Sequence, residues 1–164
     1  MNRRHFLYIL GSIPLTLSAP KLFANDSSTE ARQFTIEKIV KSDAEWRQQL
    51  SPAQYNILRQ EGTERAFSSP LNDEKRSGSY VCAGCELPLF TSKMKFDSGT
   101  GWPSFFTTLP NRTETRTDFK LIIPRTEYHC ARCGGHQGHV FNDGPAPTGE
   151  RWCNNGLALK FIPA

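Results

Sequence analysis

A mainly β domain is predicted by three features of this 164-residue chain. Its 12 glycines and 11 prolines give a density of turn-formers that favours short strands over long helices. From residue 78 onward, strand-like runs alternate with turn signals, while helical spacing is confined to residues 42–62. Two Cys-x-x-Cys turns each follow a strand-like run, as turns at the ends of strands should. The length fits one domain with a short appendage, and 37% hydrophobic residues with 3 Trp and 11 Phe suffice for a core.

The appendage is N-terminal. Arg3 and Arg4 precede an apolar stretch, Phe6 to Leu17, that falls short of the roughly 20 residues needed to span a bilayer. With small Ala24 following, residues 1–24 read as an export signal, and the Arg3-Arg4 pair before Phe6-Leu7 resembles a twin-arginine signal. Retention as an interfacial anchor is the alternative. Residues 25–39 form a flexible lead-in, and the domain runs over 40–164. The expected location is the periplasm, without stable membrane insertion once the signal is removed. Net charge is +4, and the segment holding Arg3, Arg4 and Lys21 carries three units of it, leaving about +1. That excludes an electrostatic case for nucleic acid.

Two short helices come first. Ser42-Asp43-Ala44-Glu45 is a capping box opening a helix through Trp46 and Leu50. Ser51-Pro52 starts a second, with Tyr55 and Leu58 on one face and Gly62 as its stop. Strands are expected at Gly78–Cys82, Thr113–Thr117, Lys120–Ile123 before Pro124, and Glu127–Cys130. A last one, Leu157–Phe161, would close a sheet. Asn142 to Gly149 is a loop.

Cys82-Ala83-Gly84-Cys85 and Cys130-Ala131-Arg132-Cys133 are spaced so that each turn aims two thiolates at one cation, and together they make a tetrahedral Zn²⁺ site. A thioredoxin-like redox pair would open a helix, which Pro88 and Gly134-Gly135 oppose. Structural disulfides also suit an exported protein. A chain folded before export would load zinc while its thiols are reduced.

Cys153 is the fifth cysteine and is left over. A lone cysteine is ordinarily buried and inert, but here Arg151 favours a thiolate and Asn155 is placed to orient a polar group. His136 and His139, in a glycine-rich segment, offer acid catalysis near neutral pH, and spacing does not say which serves. Either one completing a Cys₃His zinc site is the rival reading. Phe96 to Phe105 carries Trp102-Pro103 directly after Gly99 and Gly101, which presents an indole to a small apolar group such as a methyl on sulfur.

Lys95–Phe105, Gly138–Pro145, Pro147–Asn155 and the two cysteine pairs together resemble the methionine sulfoxide reductase B family, the peptide-methionine (R)-S-oxide reductases, over about residues 40–162. The resemblance implies two antiparallel sheets around a small β-core with short N-terminal helices, and a structural Zn²⁺ on Cys82, Cys85, Cys130 and Cys133. It implies that Cys153 attacks the sulfoxide sulfur and becomes a sulfenic acid. His136 and His139 would bind and protonate the oxygen, Trp102 would hold the methyl group, and Asn155 would support the polar side. Phe141 and Arg151 complete the expected substrate site. Expected partners are proteins or peptides containing methionine sulfoxide and a thioredoxin-like or other thiol reductant, the enzyme being a monomer. Two departures stand out. Thr100 occupies a position where many members carry a resolving cysteine, so an external thiol must finish the cycle. Trp152 replaces a smaller aromatic before Cys153, and Asn154-Asn155-Gly156 varies the segment after it. A zinc-ribbon binding module, an exported thiol peroxidase using Cys153, and a purely structural zinc protein are the alternatives.

Overall fold

A computed structural model describes residues 35–120 and 123–164. The expected export signal over 1–24, the lead-in as far as residue 34, and Leu121 and Ile122 lie outside the described residues. Among the described residues no helix is long and apolar enough to cross a membrane. Ile36 and Ile39, at the lead-in's end, pack against the core, and the Ile39 N–H donates to the Arg132 carbonyl at 2.8 Å.

Both helices form where local chemistry predicts them. In α1 (Asp43–Gln49) the Ser42 hydroxyl accepts the Glu45 N–H, and the Glu45 carboxylate accepts the Ser42 N–H at 2.8 Å. In α2 (Pro52–Gln60) Ser51 and Gln54 make the same reciprocal pair. The stop differs from expectation: Glu61, not Gly62, takes the left-handed conformation, at φ 54°. Gly62 lies close against α2, where a Cβ would fall 2.3 Å from Asn56 Nδ2 and 3.0 Å from the Asn56 carbonyl oxygen.

Among the described residues nine strands follow: β1 (Gly78–Cys82), β2 (Pro88–Thr91), β3 (Lys95–Phe96), β4 (Ser104–Phe105), β5 (Thr113–Asp118), β6 (Arg125–Cys130), β7 (His136–Phe141), β8 (Arg151–Asn154) and β9 (Leu159–Pro163). They make two antiparallel sheets, ordered β2-β1-β9 and β3-β4-β8-β7-β6-β5, as the resemblance implied. The expected strand at Lys120–Ile123 does not form at its described ends. Beyond Asp118 the chain bends back, the Asp118 carboxylate accepting the Lys120 N–H at 2.7 Å. The C-terminal strand begins two residues later than expected, after a 3₁₀ turn over Gly156–Ala158.

The core lies between the sheets and is largely aromatic. Phe90 of β2 stacks on Phe105 of β4 at 4.0 Å, while Tyr80 and Tyr128 meet these rings edge-on. Trp152 belongs to this side: its ring sits 4.9 Å from Tyr128, and its Nε1 donates to Glu150 at 2.9 Å. The larger aromatic before Cys153 is therefore taken up by the core, because alternate residues of β8 point to opposite faces.

Candidate active site and metal centre

The four paired cysteines converge. Their sulfurs lie within 4.8 Å of one another, with Cys82 Sγ to Cys133 Sγ at 3.7 Å and Cys85 Sγ to Cys130 Sγ at 3.4 Å. A tetrahedron with Zn–S near 2.3 Å has an edge of about 3.8 Å. These separations fit a cation and are far from the roughly 2.05 Å of a disulfide, and all five cysteines are free. Cys82 closes β1 and Cys130 closes β6, so one turn comes from each sheet. The helices cover the cluster: Gln49 Nε2 donates to the Gly84 carbonyl at 2.6 Å and Arg59 to the Cys133 carbonyl at 3.0 Å. Hydrogen bonding among the sulfurs pushes the Cys82 and Cys130 thiols up and pulls Cys85 and Cys133 down. The residues fit Zn²⁺, and four thiolates leave no open coordination position.

The remaining candidates gather on the outer face of the six-stranded sheet. Cys153 of β8 is paired with His139 of β7 on one side and Ser104 of β4 on the other. Directly opposed residues have Cβ atoms about 5 Å apart, so the thiol and the imidazole are neighbours. This approach requires Gly138, where a Cβ would fall 1.9 Å from the Cys153 carbonyl oxygen.

His136 and His139 lie on β7 rather than in a glycine-rich turn. Three residues apart on a regular strand, they would face opposite ways. A β-bulge corrects this: His129 pairs with His136 but Tyr128 pairs with Gly138, leaving Gln137 as the extra residue. The two rings therefore share a face, 5.6 Å apart.

Each histidine has its own carboxylate. His139 Nε2 lies 2.8 Å from Asp118 Oδ2, which Arg125 also engages at 2.6 Å. The Lys120 amide, His139 and Arg125 hold the Asp118 carboxyl well below its ordinary range. His136 Nδ1 bonds to Glu127, whose other oxygen takes Arg116 Nε at 2.8 Å. Burial pushes the Glu127 carboxyl up, but Arg116, His129 and His136 together bring it below its usual value. His136 is almost wholly buried, and burial lowers its pKa to about 4, so it is neutral at physiological pH.

A cavity of about 130 Å³ opens beside Cys153, lined by Thr63, Trp102, Arg125, Gly138, His139, Phe141, Cys153, Asn154 and Asn155. His136 stands outside this lining. Trp102 is half-buried, its indole fixed by Nε1 donating to the Glu64 carbonyl at 3.1 Å. Phe141 forms a second apolar wall beneath the Arg151 guanidinium, 4.3 Å above its ring. Arg151 is clamped to Asp143 by two 2.8 Å bonds. It does pull Cys153 toward the thiolate, as does Thr100, but burial outweighs both and leaves the thiol above its ordinary pKa.

The Asn155 amide is committed to the backbone, accepting the Glu64 N–H and donating to the Gln137 carbonyl, each at 3.0 Å. Glu64 completes the knot, its carboxylate accepting the Gly156 N–H at 2.6 Å and the Leu157 N–H at 2.9 Å. Thr63, Glu64, Asp118, Arg125 and Glu127 were not legible as site residues. Each reaches the site from a segment without a chemical motif.

Comparison with known proteins agrees with this geometry. The SelR domain matches residues 50–163. A peptide methionine sulfoxide reductase MsrB from Agrobacterium fabrum is 52% identical over 131 residues, covering 79% of this chain and 97% of that protein. The MsrB of Thiobacillus denitrificans is 54% identical over 124 residues, covering 75% and 94%. The chloroplastic peptide methionine sulfoxide reductase B1 of Arabidopsis thaliana is 46% identical over 156 residues, covering 94% and 73%.

Proposed function

Since the chain belongs to the MsrB family and is a peptide-methionine (R)-S-oxide reductase, we propose that it works through Cys153 with His139 as the acid, and is regenerated by an external thiol. The observation that carries this reading is the pairing of Cys153 with His139 across one cavity whose other walls are Trp102 and Phe141.

Cys153 attacks the sulfoxide sulfur as its thiolate, the minor form of this buried thiol, while the oxygen takes a proton from His139, whose ring Asp118 supports. As the oxygen passes from the substrate sulfur to the Cys153 sulfur, the sulfur–oxygen bond of the substrate and the new sulfur–sulfur bond both break, methionine leaves, and Cys153 holds the oxygen as a sulfenic acid. Two electrons pass from the Cys153 sulfur to the substrate sulfur. A reducing thiol then displaces water to form a mixed disulfide on Cys153, and a second thiol releases the reduced enzyme. Neutral, buried His136 orients its neighbours through Glu127 rather than supplying the proton. Trp102 and Phe141 hold the methyl group, and Asn155 keeps the Glu64 and Gln137 backbone in place beneath the polar side. Zinc on the four paired cysteines serves structure. The protein acts as a monomer on oxidised exported proteins, reaching the periplasm by the twin-arginine route that Arg3 and Arg4 suggest.

The test is turnover of both epimers of a methionine sulfoxide peptide with a small dithiol, using the parent and Cys153→Ser, with bound zinc measured in each. Turnover of the R epimer alone, lost in the variant while zinc stays, supports the reading. Activity that survives Cys153→Ser overturns the choice of cysteine. For export, replacing Arg3 and Arg4 by lysine should keep the full chain in the cytoplasm on cell fractionation.

A further inference from the structure

Phe67 has no part in the chemistry above, yet its placement is costly. It lies in the left-handed region at φ 61°, where a residue with a Cβ is strained, and its side chain is 73% exposed. So exposed a ring gains little from burial to offset that strain. The ring is nevertheless held firmly. The Phe67 N–H donates to the Gly101 carbonyl at 2.7 Å, and Gly101, at φ 91°, leaves no room for a Cβ, which would fall 2.8 Å from the Phe67 ring. Phe67 is thus locked to the loop that carries Trp102.

Beside Phe67 runs a second groove of about 130 Å³; Phe67, Phe96 and Trp102 give it apolar walls, and Asn72, Asp73, Lys95 and Asp97 give it polar ones. Trp102 also lines the Cys153 cavity, so the two recesses have this residue in common. The groove is preformed: Asn72 Nδ2 donates to the Gly101 carbonyl at 3.0 Å, and Lys95 Nζ donates to the Asn72 carbonyl at 2.8 Å. A binding site built in advance loses little entropy on occupation.

We propose that this groove, walled by Phe67, is a subsite for an apolar side chain of an extended polypeptide whose oxidised methionine occupies the Cys153 cavity. The proposal rests on the reductase reading and adds a substrate preference to it. In an extended chain, side chains two residues apart point the same way, roughly 7 Å from one another. A polypeptide that sends its methionine sulfoxide past Trp102 therefore presents its second neighbour to the adjoining recess. Phe67 and Phe96 favour leucine or phenylalanine there over a polar residue. Free methionine sulfoxide reaches neither ring.

The test uses blocked heptapeptides with a central methionine (R)-sulfoxide and either leucine or serine at both positions two residues away. N-acetyl methionine (R)-sulfoxide methylamide serves as the small substrate. The expected preference for leucine is about tenfold in kcat/KM. In Phe67→Asn, chosen because asparagine tolerates the left-handed conformation, that preference should fall to about twofold or less, with the small substrate turned over as by the parent. Calorimetric titration of the same peptides into Cys153→Ser protein gives a readout independent of turnover, and should show the same preference. No leucine preference in the parent, a preference that survives Phe67→Asn, or an equal loss on the small substrate overturns the proposal. A leucine preference in binding that depends on Phe67, with no turnover of any substrate, would sink the reductase reading and leave the groove standing.

Discussion

Gln137 Nε2 donates to Cys82 Sγ over 3.4 Å, so the bulged residue between His136 and His139 is anchored on the four-cysteine cluster. Its Oε1 lies 3.5 Å from Asn154 Nδ2, and its backbone carbonyl accepts both the N–H and the side-chain Nδ2 of Asn155. The four-cysteine cluster and the face that carries Cys153 are therefore joined by one buried side chain, which makes the bulge depend on the cluster.

Removing the cation should accordingly disturb both. Chelation of zinc-loaded protein is expected to lower its stability by about 3 kcal/mol, or roughly 10 °C in the melting midpoint, with loss of turnover. Gln137→Leu should keep its zinc, lose about 1–2 kcal/mol, and lower kcat as the bulge relaxes. Metal content, melting curves and kinetics on the same samples test the coupling. Full activity in Gln137→Leu would refute it.

Cys153 should alkylate slowly. Burial holds its thiol above the ordinary value, with Arg151 and Thr100 pulling the other way. The rate with iodoacetamide at pH 8, followed on the Cys153 peptide by mass spectrometry, is expected to fall below that of free cysteine and to rise with pH. Thr100→Val, which removes the hydroxyl, should slow it several-fold further.

The buried His136 predicts a particular loss of stability in mild acid. Its folded pKa is about 4, against about 6.5 when unfolded. Between those values the unfolded chain binds the proton and the folded chain does not, so stability falls as pH drops from about 6.5 toward 4. The full effect is roughly 3 kcal/mol. His129, also lowered by burial, contributes in the same direction. Denaturant unfolding across this range should show a shallower slope in His136→Gln than in the parent.

Glu64 gives the most local test of the scaffold. Glu64→Ala leaves the Gly156 and Leu157 amides without their acceptor and is expected to cost about 2–4 kcal/mol. Glu64→Gln keeps one acceptor oxygen and should lose about half as much. The alanine variant should also raise KM, since Trp102 and Asn155 both bond to the Glu64 backbone. A higher KM with unchanged stability would place Glu64 at the substrate instead.

What the sequence determined by itself is what short-range chemistry controls. Ser42 with Glu45 and Ser51 with Pro52 started the helices where expected, because each cap closes within one turn of chain. The two Cys-x-x-Cys turns and Trp102, His139 and Cys153 could be named from the chemistry of adjacent residues, and Phe141 from the family resemblance. Tertiary structure decided the rest. The Lys120–Ile123 run had strand composition, but the Asp118 carboxylate turned the chain at Lys120. Glu64 meets Gly156, 92 residues away in sequence, and Asp118 meets His139 across 21. The bulge at Gln137 moved His136 and His139 onto one face. No residue pattern shows such a contact, because strand register depends on how both sheets pack around Phe90, Phe105 and Tyr128. The surroundings of the two histidines differ for the same reason: one was buried by that packing and the other was left at the cavity wall.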